Sequence, residues 1–139
     1  MSLRQSQLLS PYTVRVESVH RRSRIDLRGV VTAANILEAK AAFLAQREHE
    51  PAFDELWVYL EVTSLSILPE EMAHLVQTTA ELVAEGRISG RKAIVVRREG
   101  LVGVAHLYKH AIARSAGQAV EVFDSVAAAE AWLSGTLDV

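Results

Sequence analysis

Hydrophobic and polar residues change rhythm several times along the chain, and each change marks an element. From Tyr12 the two kinds alternate strictly, with Tyr12, Val14 and Val16 on one face and Thr13, Arg15 and Glu17 on the other. A period of two is that of a half-buried strand. The polar stretch His20-Arg21-Arg22 turns the chain into a second alternating run, Arg24 to Arg28, which stops at Gly29. The two runs predict an antiparallel hairpin. Thr32 then stands as the N-cap of a helix reaching about Arg47, with Ala33, Ile36, Leu37, Phe43 and Leu44 inward. Lys40 interrupts that stripe. The expectation is that its stem lies along the core edge while the ammonium reaches water.

The central stretch is Leu56-Trp57-Val58-Tyr59-Leu60-Glu61-Val62. A near-continuous apolar run of this length predicts a strand covered on both faces. Alternation places Leu56, Val58, Leu60 and Val62 on an aliphatic face and Trp57, Tyr59 and Glu61 on an aromatic one. The aliphatic face suits packed helices. The aromatic face is open to three covers: a second helix layer, the N-terminal segment, or another copy of the chain. A hydroxyl-bearing loop, Thr63 to Ser66, follows, and Pro69 with Glu70-Glu71 opens a helix. Met72, Leu75, Val76, Thr79, Leu82 and Val83 keep its helical period until Gly86 stops it.

Lys92 to Arg97 predicts a further buried strand, Arg98 to Gly100 a loop, and Val104, Leu107, Tyr108 and Ala111 the inner face of the next helix, which runs to about Ser115. Ala119 to Phe123 is the last strand. Ser125 caps a final helix burying Val126, Ala129, Trp132 and Leu133. Alternating helices and strands after a hairpin predict an α/β fold with a mixed, mainly parallel sheet of about five strands and four helices. Residues 1–10 read as a loose tail and 11–139 as a single domain.

Composition narrows the function classes. With 139 residues, half of them hydrophobic and 23% charged, the chain is long enough for a core without staples. It has no cysteine, which excludes disulfides, thiolate chemistry and Cys-type zinc sites. No apolar run approaches the roughly 18 residues of a membrane span, so a soluble, cytoplasmic protein without membrane contact is expected. Residues 1–30 carry six arginines against two acids, a net of +4, leaving −6 for the remainder. No aromatic residues interleave with these arginines as a nucleic-acid stacking surface requires, so nucleic acid is not an expected partner.

Three stretches are similar to the STAS family, the sulfate-transporter and anti-sigma-factor antagonist domains, and to their SpoIIAA-like relatives. They are Ile25-Asp26-Leu27-Arg28-Gly29 before a helix, the central strand with its hydroxyl-bearing loop and following helix, and the ending Val120-Glu121-Val122-Phe123-Asp124-Ser125 through Ala131-Trp132-Leu133. The resemblance covers about residues 12–134. It implies a SpoIIAA-like fold and a non-enzymatic regulatory or protein-interaction role, with a protein partner or a homodimer. A phosphorylated STAS switch carries an Asp-Ser-Ser-Gly-like loop, where this chain has Thr63-Ser64-Leu65-Ser66-Ile67. Ser64 or Ser66 takes the place of the phosphorylated serine in that comparison.

In parallel sheets ligands collect at the carboxyl ends of the strands. That edge brings together Thr63, Ser64 and Ser66, the Arg97-Arg98-Glu99-Gly100 loop, and Asp124-Ser125. Gly100 and Gly103 near a helix start, beside Arg97 and Arg98, suit a carboxylate or phosphate. With Tyr59 and Tyr108 these form the candidate ligand-binding or regulatory set. No nucleotide-binding glycine pattern is present, so no cofactor is expected. His106 and His110 share a helix face, but the glutamate of His-Glu-x-x-His is missing and their face lies away from the apolar stripe, so no metal is assigned to them. His74 with Glu70 and Glu71 lacks a nucleophile or oxyanion arrangement, and no catalytic residue is assigned.

Two alternatives to the interaction module remain: a binding protein for a small apolar or anionic ligand, and an enzyme of unknown class. A ligand-binding protein predicts a closed pocket near Tyr59, Ser64, Arg97 and Tyr108. An interaction module predicts an exposed apolar patch, with self-association through the aromatic face of the central strand.

Overall fold

The computed structural model describes residues 10–136; apart from Ser10, the tail expected at 1–10 lies outside them. Five strands form one sheet in the order of the chain: β1 (Tyr12–Glu17), β2 (Arg22–Thr32), β3 (Asp54–Ser66), β4 (Lys92–Val95) and β5 (Val120–Phe123). β1 and β2 make the antiparallel hairpin, and β2 to β5 run parallel. The helices are α1 (Ala33–Leu44), α2 (Pro69–Ala84), α3 (Glu99–Ser115) and α4 (Val126–Leu133).

Chain order explains the layers. Each parallel strand is added on the same side of the previous one, and right-handed crossovers then send α1, α2 and α3 to one face of the sheet. That face carries Trp57 and Tyr59. Helix packing therefore covers the aromatic side of β3, leaving Trp57 only 2% exposed. The expected self-association through this face is corrected accordingly, because the surface it needs is already buried. The opposite face, with Leu56, Val58, Ala93 and Val95, is closed by α4 through Ala129, Trp132 and Leu133.

Local signals act as their chemistry predicts. Thr32 Oγ1 accepts from the Asn35 amide at 3.2 Å, and Asn35 Oδ1 accepts from the Thr32 amide at 2.9 Å, a reciprocal cap. Glu71 accepts from the Leu68 amide at 2.8 Å at the start of α2, and Ser125 Oγ caps α4 through Ala128 at 3.1 Å. Arg22, placed in the turn by sequence, instead enters β2 and is buried, bonded to Glu17 at 3.0 Å and Glu130 at 2.6 Å.

The alternation of β3 breaks twice. Between Asp26/Val58 and Arg28/Glu61, β2 advances two residues while β3 advances three, and a second shift follows between Gly29/Val62 and Val30/Ser64. Each extra residue is a bulge that reverses which face the next side chains take. Val62 consequently packs with Ile25 and Trp57 rather than with Leu56 and Val58. The expected Thr63–Ser66 loop is strand as well, because β2 runs on past Gly29 to Thr32 and pairs with it. On α3, Leu107 is 67% exposed rather than inward; Ala105 and Ile112 fill the stripe instead.

Trp57→Ala should cost about 3–5 kcal/mol in urea unfolding. Phe123, half-buried and packed on Trp132 with ring centroids 5.7 Å apart, should cost less when changed to alanine. Equal losses would contradict these layers.

Candidate functional site

β3 enters the sheet with Asp54 and Glu55, and β4 with Lys92. The parallel register sets Glu55 directly opposite Lys92 on the helix-covered face. Both are buried, at 1% and 3% exposure. Their charges are 3.7 Å apart, Glu55 Oε1 to Lys92 Nζ. Two residues along β3, Trp57 donates its indole Nε1–H to Glu55 Oε1 at 2.9 Å, and Gln118 donates its amide to Oε2 at 3.0 Å. Burial opposes a charge on Glu55, but Lys92, Lys40 and these two donors outweigh it and hold the carboxyl below its usual range.

A second cation lies beside this group. Lys40, in the apolar stripe of α1, is 3% exposed. Its ammonium does not reach water, as the sequence suggested, but donates to Thr79 Oγ1 at 3.0 Å. The reason is that α2 packs over it and supplies a buried hydroxyl. Thr79 Oγ1 is 3.1 Å from Tyr108 OH, and Lys92 Nζ donates to Tyr108 OH at 2.6 Å. Hydrogen bonds thus run from Lys40 through Thr79 and Tyr108 to Lys92, and the 3.7 Å ion pair of Lys92 with Glu55 carries the network on to Gln118. Both ammoniums also lie over Trp57, at 5.7 Å for Lys40 and 5.6 Å for Lys92.

The two lysines respond oppositely. Burial and then the neighbouring Lys92 charge lower Lys40 to about 8. Lys92 feels the same burial, but Glu55 and Tyr108 overcome it and raise its pKa. Burial pushes the Tyr108 phenol up, yet Lys92 and Lys40 prevail and bring it down. Tyr59, which burial dominates, is raised.

Lys40, Lys92, Tyr59 and Tyr108 line a cavity of about 50 Å³ between the sheet and helices α1 to α3, with Glu55 and Thr79 bonded behind them. On this measure a single water needs roughly 10–15 Å³, so the space holds several atoms. Its inner wall includes Lys40, Trp57, Lys92 and Ile94, all buried, and its mouth includes half-exposed Leu65, Ile67, Met72 and Leu101.

Of the residues singled out in the sequence, Tyr59 and Tyr108 line this cavity. The others do not join them. Thr63, Ser64 and Ser66 lie exposed along the end of β3, held there by pairing with β2. Arg97 donates to the Asp124 carbonyl, and Arg98 donates to the Thr63 carbonyl at 3.2 Å. Gly100 and Gly103 are exposed within the first turns of α3, which starts at Glu99, so that Glu99 and Gly100 of the expected Arg98–Gly100 loop are helical. The pocket expected near Ser64 and Arg97 therefore sits deeper, under the helices. His106 and His110 are exposed on α3 with rings 6.5 Å apart, and no group of three or more metal-ligating side chains occurs among the described residues. Lys40 and Lys92, which line the cavity, and Glu55 and Thr79, which bond to them, were not among the expected site residues. The signals for the two lysines were a cation within the apolar stripe of α1 and another at the head of the apolar run of β4.

The overall architecture is that of a solved protein from Shewanella loihica PV-4, described as an uncharacterized member of the DUF3478 family with a SpoIIAA-like fold. The two match with a TM-score of 0.55 over 88% of this chain and 91% of that one, at 14% identity. The fold is SpoIIAA-like. No family model and no curated protein matches the sequence. Among the described residues no helix is long and apolar enough to cross a membrane.

Glu55→Gln should destabilise the SpoIIAA-like fold by about 3–5 kcal/mol, since it leaves Lys92 buried without its carboxylate. Adding Lys92→Met should restore part of that loss. Additive losses in a double-mutant cycle would show the pair to be uncoupled.

Proposed function

We propose that this protein is a non-enzymatic binding protein for a small apolar anion, such as a short aliphatic carboxylate. The charge of the cavity carries the reading. Lys40, Lys92 and Glu55 are each at most 3% exposed, so with both lysines protonated two cations share one carboxylate. A buried charge without a partner is costly, and an incoming carboxylate removes the imbalance. At an effective dielectric near 20, an ammonium and a carboxylate about 4 Å apart attract by on the order of 4 kcal/mol, which offsets part of the ligand's desolvation.

The rest of the cavity suits the remainder of such a ligand. Ile36, Leu75, Ile94 and Ala105 offer no competing polar group near the lysines. The small volume at the base accommodates a carboxylate and the first carbons, with the tail lying along Leu65, Ile67, Met72 and Leu101. An interaction module is less favoured by the surface. Its large exposed hydrophobics among the described residues, Val19, Val30, Leu68 and Leu107, lie on four separate segments.

Trp57 lines the cavity and Trp132 lies on the opposite face, so a Trp132→Phe variant leaves one tryptophan reporting on the site. Titrating hexanoate into that variant should give a saturable change in Trp57 fluorescence. Lys40 must be protonated to hold the anion, so affinity should fall as pH rises past about 8, by up to about tenfold per unit. Lys40→Met should abolish binding. An unsaturable signal, or an affinity indifferent to pH, would count against the proposal.

A further inference from the structure

The geometry points to a second use of the same cavity: Lys40 captures the carbonyl carbon of a small apolar aldehyde or ketone as an imine. This shares the cavity of the anion-binding reading but needs Lys40 neutral rather than charged, so the two can fail separately.

The first observation is which cations are buried together. The chain has three lysines against twelve arginines, and two of the three, Lys40 and Lys92, meet in this cavity. A guanidinium keeps its proton under all ordinary conditions, whereas an amine can lose one and become a nucleophile. Secondly, the two lysines are not equivalent. Glu55 lies within 4 Å of Lys92 and neutralises it, while the hydrogen-bond partner of Lys40 is an uncharged hydroxyl, Thr79. A lysine in an apolar site beside another cation is the arrangement that leaves an amine unprotonated near neutral pH. Lys40 is lowered accordingly, to about 8.

The neighbours of Lys40 supply what the reaction requires. The amine lone pair attacks the carbonyl carbon, the nitrogen gives up a proton and the oxygen gains one, forming a carbinolamine. The carbinolamine oxygen takes a second proton and leaves as water while the C=N bond closes, and the nitrogen releases its remaining proton to replace the one consumed. Carbonyl and amine thus give imine and water, with no oxidant or reductant. Thr79 and Tyr108 hydroxyls link Lys40 to Lys92 through contacts of 3.0, 3.1 and 2.6 Å, a path along which these protons can move. The apolar wall limits the water that would hydrolyse the product. The groups facing Lys40 are Glu55, Trp57 and Tyr59 from β3, Lys92 from β4, Thr79 from α2 and Tyr108 from α3. Arg87 lines a shallow groove beside the Lys40 stem.

Butanal with cyanoborohydride, applied to the folded full chain, reduces any imine to a stable butyl amine that peptide mapping can locate. Lys109 and the chain's terminal amine serve as internal controls. Lys40 should be labelled at least roughly tenfold faster than Lys109, as an amine lowered to about 8 by its buried site beside Lys92 predicts. Its labelling should rise as pH passes about 8, opposite to hexanoate affinity. Hexanoate should protect it. Lys40→Arg, with its fold checked by circular dichroism, should lose the adduct. Labelling of Lys109 as fast as Lys40, or labelling confined to Lys92, would overturn the inference. Hexanoate binding without Lys40 labelling sinks the imine alone; labelling without hexanoate binding sinks the anion reading alone.

Discussion

A buried carboxylate, Glu55, organises the interior of this protein. It stands at the start of the middle strand, 1% exposed, and such a charge survives there only when others satisfy it. Lys92 comes from the adjacent strand, Trp57 from two residues along its own strand, and Gln118 from the segment before β5. Three parts of the chain are therefore tied to one side chain. Gln118 also donates to the Gly90 carbonyl at 3.2 Å, which joins the turn before β4 to the same centre. Through Lys92 and Tyr108 the network continues into α3, and through Thr79 into α2 and Lys40 of α1. A polar network of this kind specifies how helices sit on a sheet, because an apolar contact tolerates sliding and a charged one does not.

The sheet's topology makes room for that network. Consecutive parallel strands with right-handed crossovers crowd three helices onto one face and leave a single short helix for the other. The cavity lies between these three helices and the sheet, against Trp57 and Tyr59. A bulge in β3 turns Val62 toward the same helix-covered layer, where it packs with Ile25 and Trp57.

Much of the fold was legible in the sequence. Strict alternation marked the hairpin, Thr32, Pro69 and Ser125 marked three helix starts, and the order of elements implied the mainly parallel sheet. Bulges were not legible, since an extra residue in β3 shows only once its partner strand is known; Val62 and the Thr63–Ser66 segment were misassigned for that reason. Of the cavity, Tyr59 and Tyr108 were visible as aromatics on inward faces. Lys40 was visible too, as a cation in an apolar stripe, but its meaning depends on long-range packing. Whether such a lysine reaches water or is trapped turns on whether α2 passes over it and brings Thr79. No local pattern carries that information.

Everything proposed for the cavity depends on Lys40 being held in a dry site beside Lys92 with no carboxylate of its own. The most direct check is an NMR titration of the Lys40 ε-methylene or Nζ resonance in the unliganded protein. A midpoint near 8 is the expected result. A midpoint at or above the ordinary lysine value of about 10.4 would mean that Lys40 is solvated or otherwise paired, and would contradict the account.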